Sequence, residues 1–161
     1  MAIHESSEIH PSSVIDEGAR IGKNCSIGPF CVISSGAQLE DGVTLLSHVS
    51  IVGNTTIGSS TKIWPFTSIG HQPQDLKFFG EFSELIIGKD NKIREGVSIN
   101  PGTGGGGGIT EIGNNCLFML GSHIGHDCRL GNRIVLANNA ALAAATFSRS
   151  FSTSRLFWPI R

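Results

Sequence analysis

The sequence contains no tyrosine and few charged residues, which make up 16% of its 161 positions. Lysine and arginine number 12 against 13 acidic residues, and this net charge of -1 argues against a nucleic-acid-binding module, which normally carries a clustered basic face. No apolar run approaches the roughly 20 residues that a membrane-spanning helix needs. The polar N-terminal segment lacks the apolar core of a secretory signal, so we expect a cytoplasmic protein with no membrane span and no nucleic-acid partner.

Cysteine is scarce, at 4 residues, and none of the cysteines occurs in a CxxC pair. This spacing argues against a disulfide framework and against a zinc cluster, so no metal site is predicted. Glycine is abundant instead, at 21 residues. The glycines do not follow a G-X-Y period, and this excludes collagen.

A six-residue repeat dominates the chain. An aliphatic residue recurs at every sixth position from Ile9 to Ile69, again from Ile87 to Ile99, and, with Phe118 as one member, from Ile112 to Leu142. Neither a helix, with a period of about 3.6, nor a plain strand, with a period of 2, produces such a beat. The beat predicts an all-β solenoid in which three short strands, about 18 residues, close one triangular coil and coils stack about 4.8 Å apart.

Two further positions of the hexapeptide support this interpretation. Position five is nearly always small or β-branched, as a second inward-facing position requires, and it holds all four cysteines as apolar fillers of the prism. Position two is often glycine, and we expect the missing Cβ to relax the backbone at a corner of the prism. The glycines at position two are Gly22, Gly28, Gly58, Gly70, Gly88, Gly113, Gly125 and Gly131.

The repeat is interrupted twice. Residues 75–86 replace two hexapeptides, and residues 104–111 begin with five consecutive glycines. No Lys-Ser or Lys-Thr pair follows these glycines, so they do not form a phosphate-binding P-loop, and we interpret them as a flexible excursion at a corner. We therefore divide the chain into a repeat domain at 1–147, with loops at 75–86 and 104–111, and a non-repeat tail at 148–161.

Candidate chemistry centres on two of the 6 histidines, His123 and His126. They occupy positions six and three of their hexapeptides, outside the inward-facing set, so we expect them on the outer surface of the prism. Asp127 follows directly and could orient an imidazole that acts as a general base. The alternative interpretation is a surface histidine without a function.

Five strings, IGPFCVI, IGHQPQDLKFFGE, IREGVSINPGTGGGG, HIGHDC and VLANNA, carry a family resemblance. Over residues 8 to 143 the chain resembles the acyl-carrier-protein-dependent UDP-N-acetylglucosamine O-acyltransferases, the first enzymes of lipid A biosynthesis. The resemblance implies a left-handed parallel β-helix, a homotrimer, and active sites between adjacent subunits. It implies no cofactor.

The resemblance also implies site residues. His126 matches the general base that takes the proton from the glucosamine 3-hydroxyl of UDP-N-acetylglucosamine, which then attacks the thioester of a 3-hydroxyacyl group on acyl carrier protein. Asp127 would support His126, and His123 matches a substrate contact. Sugar-nucleotide contacts, reaching from the neighbouring subunit's loop, are implied for Gln74, Asp75 and Lys77. Asn100 stands where some members carry histidine, and it receives no catalytic role.

The resemblance stops after Leu142, where Ala144 and Ala145 replace a glycine–histidine pair of the family. We expect the family's C-terminal helical domain to be absent and the chain to be truncated. A truncated, catalytically inactive solenoid is therefore an alternative to a working enzyme. A third alternative is a metal-dependent hexapeptide-repeat enzyme that uses histidines across a trimer interface, with His71, His123 and His126 as the candidates. The length of the acyl chain, and whether the acceptor carries a 3-hydroxyl or a 3-amino group, remain open.

Overall fold

The computed structural model describes residues 2–143 and the backbone of a strand at 147–148, and it contains no helix within these residues. Ala144 and Ala145 and the tail from residue 149 lie outside the described residues. The strands are β1 Ala2–Ile3, β2 Glu8–Ile9, β3 Val14–Ile15, β4 Arg20–Ile21, β5 Ser26–Ile27, β6 Val32–Ile33, β7 Gln38–Leu39, β8 Thr44–Leu45, β9 Ser50–Ile51, β10 Asn54–Ile57, β11 Lys62–Ile63, β12 Ser68–Ile69, β13 Glu84–Ile87, β14 Lys92–Ile93, β15 Ser98–Ile99, β16 Ile109–Ile112, β17 Leu117–Phe118, β18 His123–Ile124, β19 Arg129–Leu130, β20 Val135–Leu136, β21 Ala141–Leu142 and β22 Phe147–Ser148.

Every third strand returns to the same sheet, so the chain winds around a three-sided prism. One sheet has eight strands, β1-β4-β7-β10-β13-β16-β19-β22, and the other two have seven each, β2-β5-β8-β11-β14-β17-β20 and β3-β6-β9-β12-β15-β18-β21. All pairs are parallel. The architecture is a left-handed parallel β-helix, which confirms the expected fold class.

The two inward positions form one continuous core along the prism. The second residue of each strand from β4 to β21 is buried, with Phe118 the largest fully buried side chain. All four cysteines are free and buried in the same core, as position five predicts. The core is therefore formed by like side chains that stack on one another in successive coils.

The role assigned to the glycines at position two is wrong for most of them. Left-handed backbone occurs at position four of the hexapeptide, where ten non-glycine residues have φ between 53° and 62°. Position-two glycines are needed for space, because a Cβ on Gly58 would lie 2.4 Å from the carbonyl carbon of Gly88 in the next coil. Gly88 is equally confined, with Asn114 Oδ1 at 2.2 Å from its added Cβ. Gly70, with φ of 81°, does adopt the left-handed region.

The interruptions end earlier than the sequence suggests. The first insertion runs from 70 to 83 and the second from 100 to 108, because β13 begins at Glu84 and β16 begins at Ile109. Leu85 and Thr110 are fully buried and pair in register, so the repeat resumes at position five, ahead of the next corner aliphatic. The expected loop ends at 86 and 111 are thus each inside a four-residue strand.

Candidate active site

Asp127 lies at the centre of the candidate site, in the turn between β18 and β19. Its backbone is left-handed, with φ of 60°, and its N–H donates to Thr110 Oγ1 over 2.8 Å. The carboxylate is buried and accepts two hydrogen bonds from Thr103, one from the backbone N–H at 2.9 Å and one from the hydroxyl at 2.6 Å. Three hydrogen bonds from the second insertion and β16 therefore fix this residue.

His126 is hydrogen-bonded to the same carboxylate. Its Nδ1 lies 2.7 Å from Asp127 Oδ2, and because an ionised carboxylate can only accept, Nδ1 carries the proton. The imidazole is about 20% exposed, so its other nitrogen, Nε2, can be reached from outside the prism. The contact between this imidazole and the carboxylate that follows it is the geometry that the sequence predicts.

Asp127 is held in its ionised form. Burial alone would raise the pKa of this carboxyl, but the hydrogen bonds from Thr103 and His126 outweigh it and bring the pKa below its ordinary value. The carboxylate is therefore charged at neutral pH, and it can stabilise a protonated His126 beside it.

The first insertion brings Asp75 to the other side of His126. Asp75 Oδ2 lies 3.9 Å from His126 Nε2, and both residues belong to the same chain. Within one chain, Asp75 therefore already lies beside the outer nitrogen of His126. Gln74 and Lys77 are exposed on the same loop, and within the described residues neither side chain bonds to His126.

His123 is the first residue of β18, and it lies on the outer face of this strand. Its Nδ1 is hydrogen-bonded to Ser98 Oγ of β15 at 2.8 Å. Burial lowers the pKa of His123, and the nearby His126 lowers it further, in spite of an opposing interaction with the Ser98 backbone. His123 is therefore neutral at pH 7 and presents an uncharged imidazole beside His126.

The two insertions are bonded to each other and to the prism. Glu81 Oε1 accepts the backbone N–H of Gly104 at 3.0 Å, which is the main cause of the lowered pKa of Glu81. Asn100 Nδ2 donates to the carbonyl oxygens of His71 and Gln72, at 3.1 and 3.4 Å. Asn100 thus anchors the start of the first insertion, a role that its sequence position alone does not suggest.

His71, which the metal-dependent alternative groups with His123 and His126, is bonded to the prism. The ring of His71 is bonded through Nε2 to Ser50 Oγ at 2.8 Å. Within residues 2–143, no group of three or more histidine, cysteine, aspartate or glutamate side chains is placed to hold a metal ion.

Thr103, Gly106 and Thr110 are site residues that the sequence analysis misses. Thr103 and Thr110 belong to the inward-facing position-five class by spacing, and this hides their bonds to Asp127. A Cβ on Gly106 would lie 2.0 Å from Asp127 Oδ2, so this glycine of the run packs on the carboxylate. The sequence marks this part of the site by a threonine directly before five glycines.

The chain is similar to known acyltransferases. It is 59% identical over 81 residues to an acyl-[acyl-carrier-protein]–UDP-N-acetylglucosamine O-acyltransferase of Paracoccus denitrificans, covering 50% of this chain and 31% of the relative. It is 63% identical over 68 residues to the protein of the same name from Methylobacterium radiotolerans, covering 42% of this chain and 25% of the relative. The chain spans less than two thirds of the length of these relatives.

Solved structures agree with this likeness. A UDP-N-acetylglucosamine acyltransferase from Campylobacter jejuni matches with a TM-score of 0.83 and 41% identity, over 87% of this chain and 54% of that chain. Separately, the family model described as the GMPPB C-terminal domain matches residues 1–103, more than half of the sequence. No helix in the described residues is long and apolar enough to span a membrane. The chain belongs to the GMPPB C-terminal domain family, and its sequence and fold are those of a relative of the UDP-N-acetylglucosamine O-acyltransferases.

Proposed function

We propose that this chain transfers a 3-hydroxyacyl group from acyl carrier protein to the glucosamine 3-hydroxyl of UDP-N-acetylglucosamine, the first step of lipid A biosynthesis. The observation that carries the proposal is the hydrogen bond between His126 Nδ1 and the ionised Asp127, which leaves Nε2 of an accessible imidazole free to accept a proton. The similarity to acyltransferases of this name supports the choice of substrates.

The proposed reaction begins with His126. Its Nε2 takes the proton of the sugar hydroxyl as the oxygen attacks the thioester carbonyl carbon, because an alcohol is a weak nucleophile at neutral pH. The C–O bond forms and the C–S bond breaks, and the leaving thiolate of the carrier takes the proton back from the imidazolium. Asp127 stabilises that imidazolium between the two transfers.

Substrate contacts are proposed for the residues around the base. Asp75 lies 3.9 Å from His126 Nε2, close enough for its carboxylate to accept a hydrogen bond from another donor of the sugar while the 3-hydroxyl faces Nε2. Lys77 and Gln74 extend from the same loop, and the lysine provides a positive charge suited to a diphosphate. His123, neutral and next to the base, is placed to hydrogen-bond the acceptor.

A homotrimer in the cytoplasm completes the proposal. The first insertion ends in a strongly apolar surface, since Leu76 is fully exposed, Phe79 is 91% exposed and Phe82 is 71% exposed. Apolar side chains concentrated on one loop mark a surface that a partner covers, and an adjacent subunit is the partner proposed here. A cytoplasmic location is part of the same proposal.

Acyl transfer by the purified chain tests the proposal directly. We expect transfer from a 3-hydroxyacyl carrier protein to UDP-N-acetylglucosamine, and His126→Gln should lower kcat/KM by about 10²- to 10⁴-fold, the usual contribution of a general base. His10→Gln is a matched control, because His10 is bonded to Ser12 on a coil without the insertions.

Assays with donors of several chain lengths, and with a 3-amino acceptor, define the specificity. If the wild-type chain transfers no acyl group, or if His126→Gln transfers it at the wild-type rate, the proposed function is wrong. If the wild-type chain neither transfers an acyl group nor binds UDP-N-acetylglucosamine in calorimetry, the inactive solenoid is supported instead.

A further inference from the structure

The second insertion packs against the carboxylate of Asp127. A Cβ added to Gly106 would lie 2.0 Å from Asp127 Oδ2 and 2.1 Å from its Cγ, distances at which the side chain would have to move. The neighbouring Gly105 has nothing within 4 Å of an added Cβ. Only one of these two adjacent glycines is therefore confined by the aspartate.

Thr103 holds this loop and the carboxylate together. Its carbonyl oxygen accepts the N–H groups of Gly106 at 3.0 Å and Gly108 at 2.7 Å, which folds the glycine run into a tight turn. Its own N–H and hydroxyl bind the two different oxygens of Asp127. Thr103 therefore both closes the turn that contains Gly106 and hydrogen-bonds the Asp127 carboxylate.

The geometry leaves Asp127 one orientation. Thr103 donates to both oxygens, Gly106 closes the space beside Oδ2 and Cγ, and Oδ2 also accepts the Nδ1 proton of His126. A carboxylate that rotates or shifts loses the bond to His126. The imidazole would then be free to place its proton on Nε2, the atom that must be unprotonated in a base.

We propose that Thr103 and Gly106 are positioning residues, which fix the Asp127 carboxylate and so keep the proton of neutral His126 on Nδ1. The inference rests on the proposed function, because it gives these two residues a role in making His126 a base. In this view Gly106 allows the loop to pack closely against the Asp127 carboxylate, and the other glycines form the turn.

The test measures the His126 tautomer together with activity. Two-bond ¹H–¹⁵N correlation spectra of protein labelled with [¹⁵N]histidine distinguish the two neutral tautomers, and the His126 signals are identified by their loss in His126→Gln. Spectra are taken at about pH 8, where histidine side chains are mostly neutral. The full-length chain is used throughout, with thermal unfolding recorded for each variant.

Four variants separate positioning from general damage to the loop. We expect Gly106→Ala to raise the Nε2–H tautomer of His126 to the major form and to lower kcat at least about tenfold, with KM changed less than about twofold. Thr103→Val removes only the hydroxyl donor and should shift both readouts in the same direction, while Thr103→Ser restores them. Gly105→Ala, the same substitution one residue earlier, should match the wild type.

The outcomes are distinct. If Gly106→Ala and Thr103→Val keep the wild-type tautomer, or if Gly105→Ala shifts it as much as Gly106→Ala, the positioning role is wrong. If Gly106→Ala does not fold, the comparison of Thr103→Val with Thr103→Ser decides by the same criterion. If the tautomer shifts as expected while the wild-type chain transfers no acyl group, positioning holds and the proposed acyl transfer fails.

Discussion

Burial governs the charge of His123 at the scale of single residues. The folded protein lowers the pKa of His123 because the imidazole is partly desolvated and lies near His126. As the pH falls below about 6.5, the ordinary histidine pKa, this residue gains its proton more readily in the unfolded chain. Protonation then favours unfolding, so His123 contributes a loss of stability that grows as the pH falls from about 6.5 through the folded pKa.

We therefore predict that His123→Gln reduces the pH dependence of stability. Between about pH 7 and pH 5, the unfolding temperature of the wild type should fall more than that of the variant. Differential scanning calorimetry at the two pH values measures this, with His10→Gln, an exposed histidine, as the control. An equal fall in wild type and His123→Gln would show that His123 titrates normally in the folded state.

The site divides into residues that the sequence can predict and residues that it cannot. His126 and Asp127 are adjacent in the chain, and their hydrogen bond follows from their hexapeptide positions. Thr103 lies 24 positions from Asp127, across an insertion that has no repeat to fix its path. Gly106 is one of five identical glycines, and only the contact with Asp127 distinguishes it from Gly105.

At the scale of elements, the side chain of Asn91 links its own coil to the next one. Its amide nitrogen donates to the carbonyl oxygens of Gly88 and Gly113, at 2.7 and 2.9 Å, and its Oδ1 accepts the N–H of Cys116 at 2.7 Å. Position five here holds a buried polar residue in place of an apolar filler. Three backbone groups next to the insertions depend on it.

We predict that Asn91→Val lowers the free energy of unfolding by about 2–4 kcal/mol, because a buried N–H and two carbonyl groups lose their partner. Urea denaturation followed by circular dichroism measures the change. Val97→Thr is the matched control, since it exchanges a buried position-five residue of the next hexapeptide for the type found at Thr61 and Thr67. A change below about 0.5 kcal/mol for Asn91→Val would contradict a bridging role.

The strands follow from the sequence, but the corners do not. A six-residue beat marks the inward aliphatic residues at position one. A mirror-image prism would show the same beat, so the handedness was inferred from the family resemblance. Phe30, His48 and Phe66 adopt left-handed backbone although they are not glycine. Their ring centroids are 4.9 and 5.1 Å apart along one corner, the first pair tilted and the second stacked, and these contacts between coils offset the local cost of the conformation.

At the scale of the whole molecule, the apolar tip of the first insertion predicts assembly. We expect the wild type to sediment at three times the 17.0 kDa mass of the chain. Leu76→Ser combined with Phe79→Ser should shift the protein toward the single-chain mass, because exposed apolar area then decreases where subunits meet.

Sedimentation equilibrium at several concentrations measures the mass of the assembly. Val14→Ser is the control, because it changes an exposed valine on the first coils and should leave this mass unchanged. A wild type that sediments as a single chain at all concentrations would contradict the homotrimer. So would a double variant that keeps the wild-type mass.

The parallel strand pairing also determines how much loop-closure entropy the two insertions cost. Most paired residues are 18 positions apart, as Ile9 is from Ile27, but Asn54 pairs with Glu84, thirty positions on, and Glu84 with Ile109, twenty-five positions on. Because loop-closure entropy grows only with the logarithm of length, the two insertions cost about 0.5 and 0.3 kcal/mol. A prism of this kind can therefore exchange one loop for another of different length, and thus one chemistry for another, while its coils remain almost as easy to form.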